Sequence, residues 1–292
     1  MTRRAWLLFV AMCVLWGIPY LLIKVVVGEL SPPVAVFARC APAAAILLPI
    51  AAIKGQLTGL REHWAAILAF ALLEITIPWG FLNEAERHLS SSLTGLLIAS
   101  VPLVAAIGSQ VVGSEDRLDG TRLIGLLVGI AGVAALLGLD LHGDWTSAAE
   151  IGLVAVGYGT APLIASRRLS GVPPLAVIGV SLGLTAVVYA PFAAMDWPSR
   201  MPSAKVFGAL ALLVAACTVA AFLVFFALIA VAGPNRALVI TFVNPAVAVL
   251  LGTLLLDEQL TTGMLLGFPL ILLGCVLATR HTSQRVPAVA EP

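Results

Sequence analysis

Apolar residues run through this chain in ten long blocks, covering residues 5–27, 33–53, 62–83, 92–112, 120–139, 146–166, 173–195, 205–230, 235–256 and 262–279. Short stretches carrying Pro, Gly, Asp and Asn separate them. A bilayer crossing takes about 20 predominantly apolar residues as a helix. No block alternates apolar and polar positions with period two, and backbone in lipid is satisfied only in helices or closed barrels. The pattern therefore predicts an all-α polytopic membrane protein of ten transmembrane helices. Ser92 and Asn235 stand just ahead of apolar runs, where a side-chain oxygen caps a helix. The polar, Pro-containing tail over 281–292 is expected to be disordered.

The pattern is written twice. Ser92, Pro102, Glu115 and Gly120 return as Asn235, Pro245, Glu258 and Gly263, each displaced by 143 residues. Pro19 returns as Pro162, and Pro32-Pro33-Val34-Ala35-Val36 is answered by Pro173-Pro174-Leu175-Ala176-Val177 at an offset of 141. This divides the chain into two five-helix repeats, 1–142 and 143–280. Five crossings per repeat is an odd number, so the second repeat enters the membrane from the opposite side. Inverted repeats are typical of secondary transporters, whose site lies near the midplane between the halves. A duplicated passive membrane scaffold is the alternative.

Composition narrows the picture further. The 292 residues are 61% hydrophobic and 11% charged, with mean hydropathy +1.07, against roughly 25% charged in soluble domains. A net charge of +1 gives no reason to expect a nucleic-acid partner. Cys13, Cys40, Cys217 and Cys275 lie singly inside apolar blocks, so neither a disulfide framework nor a metal site is expected. With the N-terminus in the cytoplasm, eleven Lys and Arg fall on the cytoplasmic side and four outside. That bias predicts an inner-membrane protein with both termini cytoplasmic. Arg3-Arg4 precede a span-length block without a small-residue cleavage site, so no cleavable signal peptide is expected.

The doubled stretch resembles the drug/metabolite transporter superfamily, specifically its ten-span EamA-type members. The second copy carries the resemblance most clearly: Asn244-Pro245, then Leu254-Leu255-Leu256-Asp257-Glu258, then Gly263 to Gly274. The first copy keeps Pro102, Glu115 and Gly120 but has Gly113-Ser114 where the family has Leu-Gly, and Trp16-Gly17 is similar to the family's opening motif. The resemblance covers about residues 5–280. It implies a small-molecule substrate, no cofactor and export of amino acids, other metabolites or toxic compounds, with amino-acid exporters nearest in layout. It also implies a cavity lined by spans 1, 3, 4, 6, 8 and 9. Large or polar side chains near mid-span in that set are Trp16, Tyr20, Trp79, Ser100, Tyr158, Phe222 and Asn244.

Span 3 carries the most chemistry. Glu74 lies near its centre, where an ionisable group is a functional candidate. It would serve as counter-charge to a substrate amine or as a proton site; alternatively it pairs with Arg39 or bonds backbone freed by Pro78. Thr76, Trp79 and Asn83 share one stripe of the same helix. Cys13, Trp16, Tyr20 and Lys24 line another in span 1, with Lys24 expected to snorkel to water. Pro19, Pro102, Pro162 and Pro245 stand at matched points in the two repeats, as kinks suited to hinges or as plain packing bends. Gly125-x-x-x-Gly129 and Gly263-x-x-x-Gly267 allow close approach where the halves pack. His63, His88, His142 and His281 all fall at span ends or in connections, so no buried histidine is placed for catalysis, and no phosphate-gripping loop is present. The chain is therefore not expected to be an enzyme. An intramembrane enzyme and a non-transporting scaffold remain competing classes. Lipid is the expected surrounding partner, and a monomer is compatible with the pattern.

Overall fold

The computed structural model describes residues 2–111, 120–140, 144–233, 237 and 239–279; Glu115, Asn235 and the 281–292 tail lie outside these. Eight helices are long and apolar enough to cross a membrane: α1 (Arg3–Val26), α2 (Pro32–Ile53), α3 (Leu60–His88), α4 (Ser91–Gly108), α5 (Gly120–Leu139), α6 (Trp145–Arg168), α7 (Pro174–Met195) and α8 (Ala204–Ala232). Two shorter apolar helices, α9 (Ile240–Leu255) and α10 (Thr262–Ala278), complete the ten. No strand occurs among the described residues. Among the described residues, every apolar block thus folds as a helix. At the start of α4 the cap is Ser90, whose side chain accepts from Leu93 N, and not Ser92 as expected. Ser92 sits inside the first turn with its amide and hydroxyl turned to Glu258.

The repeat is visible in how helices deviate from α geometry. In α3 the residues Leu72–Thr76 form a π segment, and in α8 Ala215–Ala220 do the same at the 143-residue offset. The prolines behave differently in the two copies. In the first, α1 breaks at Ile18 with Pro19 opening its second half, and α4 breaks over Ala99–Ser100 with Pro102 in the first turn of Val101–Val111. In the second, Pro162 and Pro245 lie inside continuous helices. A helix starts readily at proline, which lacks only an N–H that would be unbonded there. Side chains bond backbone carbonyls one turn back in both continuous helices. Thr160 Oγ1 donates to Val156 O at 2.7 Å, and the Asn244 amide, oriented to satisfy both its ends, donates to Ile240 O at 3.0 Å.

The principal helix pairs join one repeat to the other: α2 with α7, α5 with α10, α3 and α4 with α6, α1 with α8 and α9, and α4 with α9. Under exchange of the repeats this set maps onto itself. The α5–α10 pair is the tightest, because glycines face each other. A Cβ on Gly132 would sit 2.7 Å from Ile271 N, and one on Gly274 would collide with the Gly129 backbone. Without a hydrophobic driving force between helices in lipid, such close approach supplies the van der Waals attraction.

Candidate functional site

The π segments position the centre of the molecule. In a π turn the bonds run i→i+5, which leaves a carbonyl misaligned and turns the following side chains by a register step. In α3 that carbonyl chemistry is completed from α7: Tyr189 Oη donates to Thr76 O at 2.9 Å, and Thr76 and Thr185 hydroxyls meet at 2.7 Å. In α8 it is completed from within, by a hydroxyl that α2 holds in turn. Thr218 Oγ1 donates to Leu213 O at 2.7 Å and accepts from Arg39 Nε at 2.9 Å. Arg39 is only 6% exposed, and its guanidinium carbon lies 3.7 Å from the centroid of the Trp79 ring. Stacking on an indole face offsets part of the cost of burying this cation.

Around this pair the expected aromatic candidates assemble. Trp16, Trp79, Tyr158 and Phe222 pack in one cluster. Trp16 meets Phe222 edge-on at 5.9 Å and Phe225 at 4.7 Å between centroids. Trp79 and Phe222 occupy the same point of their repeats, 143 residues apart. Tyr158 packs against this cluster and against the neighbouring one that contains Tyr20. Its hydroxyl lies within electrostatic reach of Glu74, Tyr20 and Arg39. Glu74 itself rides on the α3 π segment, half-buried, where its repeat mate is Cys217. Gly157 of α6 allows the bulge to come this close, since any Cβ there would strike Leu73 O.

Two expectations about charge need correction. Arg39 does not pair with Glu74; among the described residues its side chain bonds Thr218 and stacks on Trp79. Lys24 does not snorkel to water. Its ammonium donates to Glu86 O at 2.6 Å and Leu89 O at 2.7 Å, closing off the end of α3. Glu86 is not among the residues the sequence singles out, because it lies beyond the apolar block 62–83. Its position was nonetheless legible, since Thr76, Trp79, Asn83 and Glu86 follow helical spacings of three, four and three along one stripe.

Asn244 and Ser100 stand apart from the aromatic cluster. Asn244, in the orientation above, also donates to Cys13 O at 3.2 Å and so ties α9 to α1. Ser100 Oγ donates to Leu97 O at 2.6 Å in the α4 break, where Cys275 Sγ serves Ala99 O at 3.3 Å. Glu258, the glutamate of the doubled motif, caps α4 in the other repeat. One carboxylate oxygen accepts from Ser91 N and Oγ at 2.8 and 3.0 Å, the other from Ser92 N and Oγ at 2.9 and 2.5 Å. Two clefts, of about 570 and 220 Å³, lie away from this centre, beneath Trp197 between α2 and α8. Among the described residues no group of three or more His, Cys, Asp or Glu is arranged to hold a metal.

Ten apolar helices in two repeats, joined across a buried polar and aromatic centre, define a multi-pass membrane transporter scaffold. The family model of the EamA-like transporter family matches residues 3–138 and 150–280, and the chain belongs to that family. It is 27% identical to the uncharacterized inner membrane transporter YedA of Escherichia coli K12, over 96% of this chain and 92% of that protein. It is 24% identical to the uncharacterized transporter YvbV of Bacillus subtilis strain 168, over 99% of this chain and 95% of that one. A protein of known crystal structure, 21% identical, shares the fold with a TM-score of 0.67 across 96% of this chain and 97% of its own. The family and these named relatives are transporters, not enzymes, and this chain is a membrane transporter of small metabolites.

Proposed function

We propose that the protein exports amino acids, foremost those with aromatic or other apolar side chains, by alternating access of two inverted five-helix halves. One observation carries this reading: Arg39, buried and stacked on Trp79 of its own repeat, is held by Thr218 of the other. A guanidinium there offers paired donors to a substrate carboxylate. Glu74 offers the complementary charge to an α-ammonium, and both groups are within reach of the Tyr158 hydroxyl. Trp16, Tyr20, Trp79, Tyr158 and Phe222 supply the apolar walls typical of small-molecule sites, with Ser100 and Asn244 as polar contacts once the centre opens. The breaks at Pro19 and Pro102, against unbroken helices at Pro162 and Pro245, support a hinge motion centred on the first repeat. The excess of basic residues supports an inner-membrane chain with both termini in the cytoplasm, acting as a monomer among its lipids.

Purified protein in liposomes, loaded with a panel of labelled amino acids, tests this directly. Counterflow of one or more apolar amino acids is expected. Arg39→Gln and Glu74→Gln should each lower it several-fold while membrane insertion and melting temperature hold. Flux of other metabolites alone would reassign the substrate class, and no flux of any solute would leave a scaffold.

A further inference from the structure

Glu86 is 0% exposed, and among the described residues neither of its carboxylate oxygens has a hydrogen-bond partner. The cation beside it makes no hydrogen bond to it: two of the three Lys24 ammonium hydrogens go to the backbone carbonyls of Glu86 and Leu89. The charged and titratable groups around it come from every side: Lys24 and Tyr20 on α1, Arg39 on α2, and Glu258 ahead of α10. On its own helix the nearest are Glu84, Arg87 and His88, where Glu84 engages both Arg87, at 3.0 Å, and His88 at the surface. The start of α4 adds Ser91 and Ser92, already bound to Glu258, and Thr94, whose hydroxyl is also unpartnered. A second carboxylate nearby, and the lack of a hydrogen-bond partner for either oxygen among the described residues, make an ionised Glu86 costly in this arrangement. A metal cation is no substitute, since the Lys24 ammonium already sits on the carbonyls that would ligate it.

We propose that Glu86 is a proton-binding site of this transporter, loaded in the arrangement described here and coupled to the Lys24 contact that fastens α1 to the end of α3. When Glu86–COOH releases its proton to solvent, the carboxylate left behind draws the Lys24 ammonium off Glu86 O and Leu89 O. The α1–α3 fastening opens, and rebinding a proton restores it. Protons are thus the coupling ion for the transport cycle proposed above. The site itself stands on this geometry and is read without any transported solute, so its test is separate from the choice of substrate.

Infrared difference spectroscopy of the purified full-length protein in lipid, stepped from acid to alkaline pH, reads the proton. Wild type should show the carbonyl stretch of a protonated carboxylic acid, shifted in D₂O and lost as pH rises. Glu86→Gln should lack that band, whereas Glu74→Gln and Glu258→Gln should keep it. Lys24→Met removes the cation that favours the ionised form, so the band should persist to higher pH, with proton affinity raised about tenfold. A full band in Glu86→Gln, or none in wild type, would overturn the assignment. Should Glu86→Gln fail to fold, the Lys24→Met titration decides alone: a profile identical to wild type overturns it.

Discussion

Two exposed carboxylates and one motif glutamate show what single side chains do here. Glu258 accepts four hydrogen bonds from Ser91 and Ser92, satisfying two orphan donors of α4 and placing negative charge at its positive end. Glu258→Gln should therefore lower stability by roughly 1–3 kcal/mol, the range for hydrogen bonds to a charged group, read as a drop in melting temperature in detergent. Glu29 plays a similar part at the start of α8, accepting from Ser203 N at 2.7 Å and Ser203 Oγ at 2.6 Å. Those two bonds hold its carboxyl below the usual glutamate range. A group lowered in the folded state stabilises fully above its unfolded value, about 4.3, and the contribution is lost as pH falls below that. Melting temperatures of wild type and Glu29→Gln should differ at neutral pH and converge toward pH 3.5. Asp144, lowered by its bonds to Ser147 at the start of α6, adds to the same acid loss.

At the scale of elements, the α5–α10 crossing depends on side chains that are absent. Gly274 lies against the Gly129 backbone and Gly125 O. Gly274→Val should force the helices apart and cost about 1–3 kcal/mol, as overpacking does in cores. Gly138, with open space around it, should accept Val on α5 with little loss of melting temperature. The same element-level view separates the two proline pairs. One sequence pattern yields a break at Ala99–Ser100, where Ser100 and Cys275 bond the carbonyls of Leu97 and Ala99, and continuous helices through Pro162 and Pro245.

Across the whole molecule, the chief helix pairs all cross between repeats, so neither repeat buries its apolar and polar faces by itself. Split within 141–143 and expressed separately, each piece should aggregate or be degraded. Expressed together, the two should co-purify as one ten-helix unit with transport restored. Independent folding of residues 1–142 would refute this account of the packing.

Length, hydropathy and the 143-residue offset were enough for the ten helices and the two repeats, because spans in lipid announce themselves by composition and a duplication by spacing, while the family rested on the resemblance of the Asn244-Pro245 and Leu254–Glu258 motif residues. Trp16, Tyr20, Trp79, Tyr158 and Phe222 were legible as large side chains near mid-span, and the structure gathers them. Spacing along one helix carries no information about which neighbour a side chain meets across the bundle. Arg39 was visible as a buried charge, but its partner Thr218 lies 179 residues away and is presented by a π segment that no propensity marks. Lys24 read as a snorkelling cation until tertiary packing placed two carbonyls of α3 within its reach. Glu86 lay past the last apolar residue of its block, and only the packing of α1 against α3 and α4 made that position an interior one.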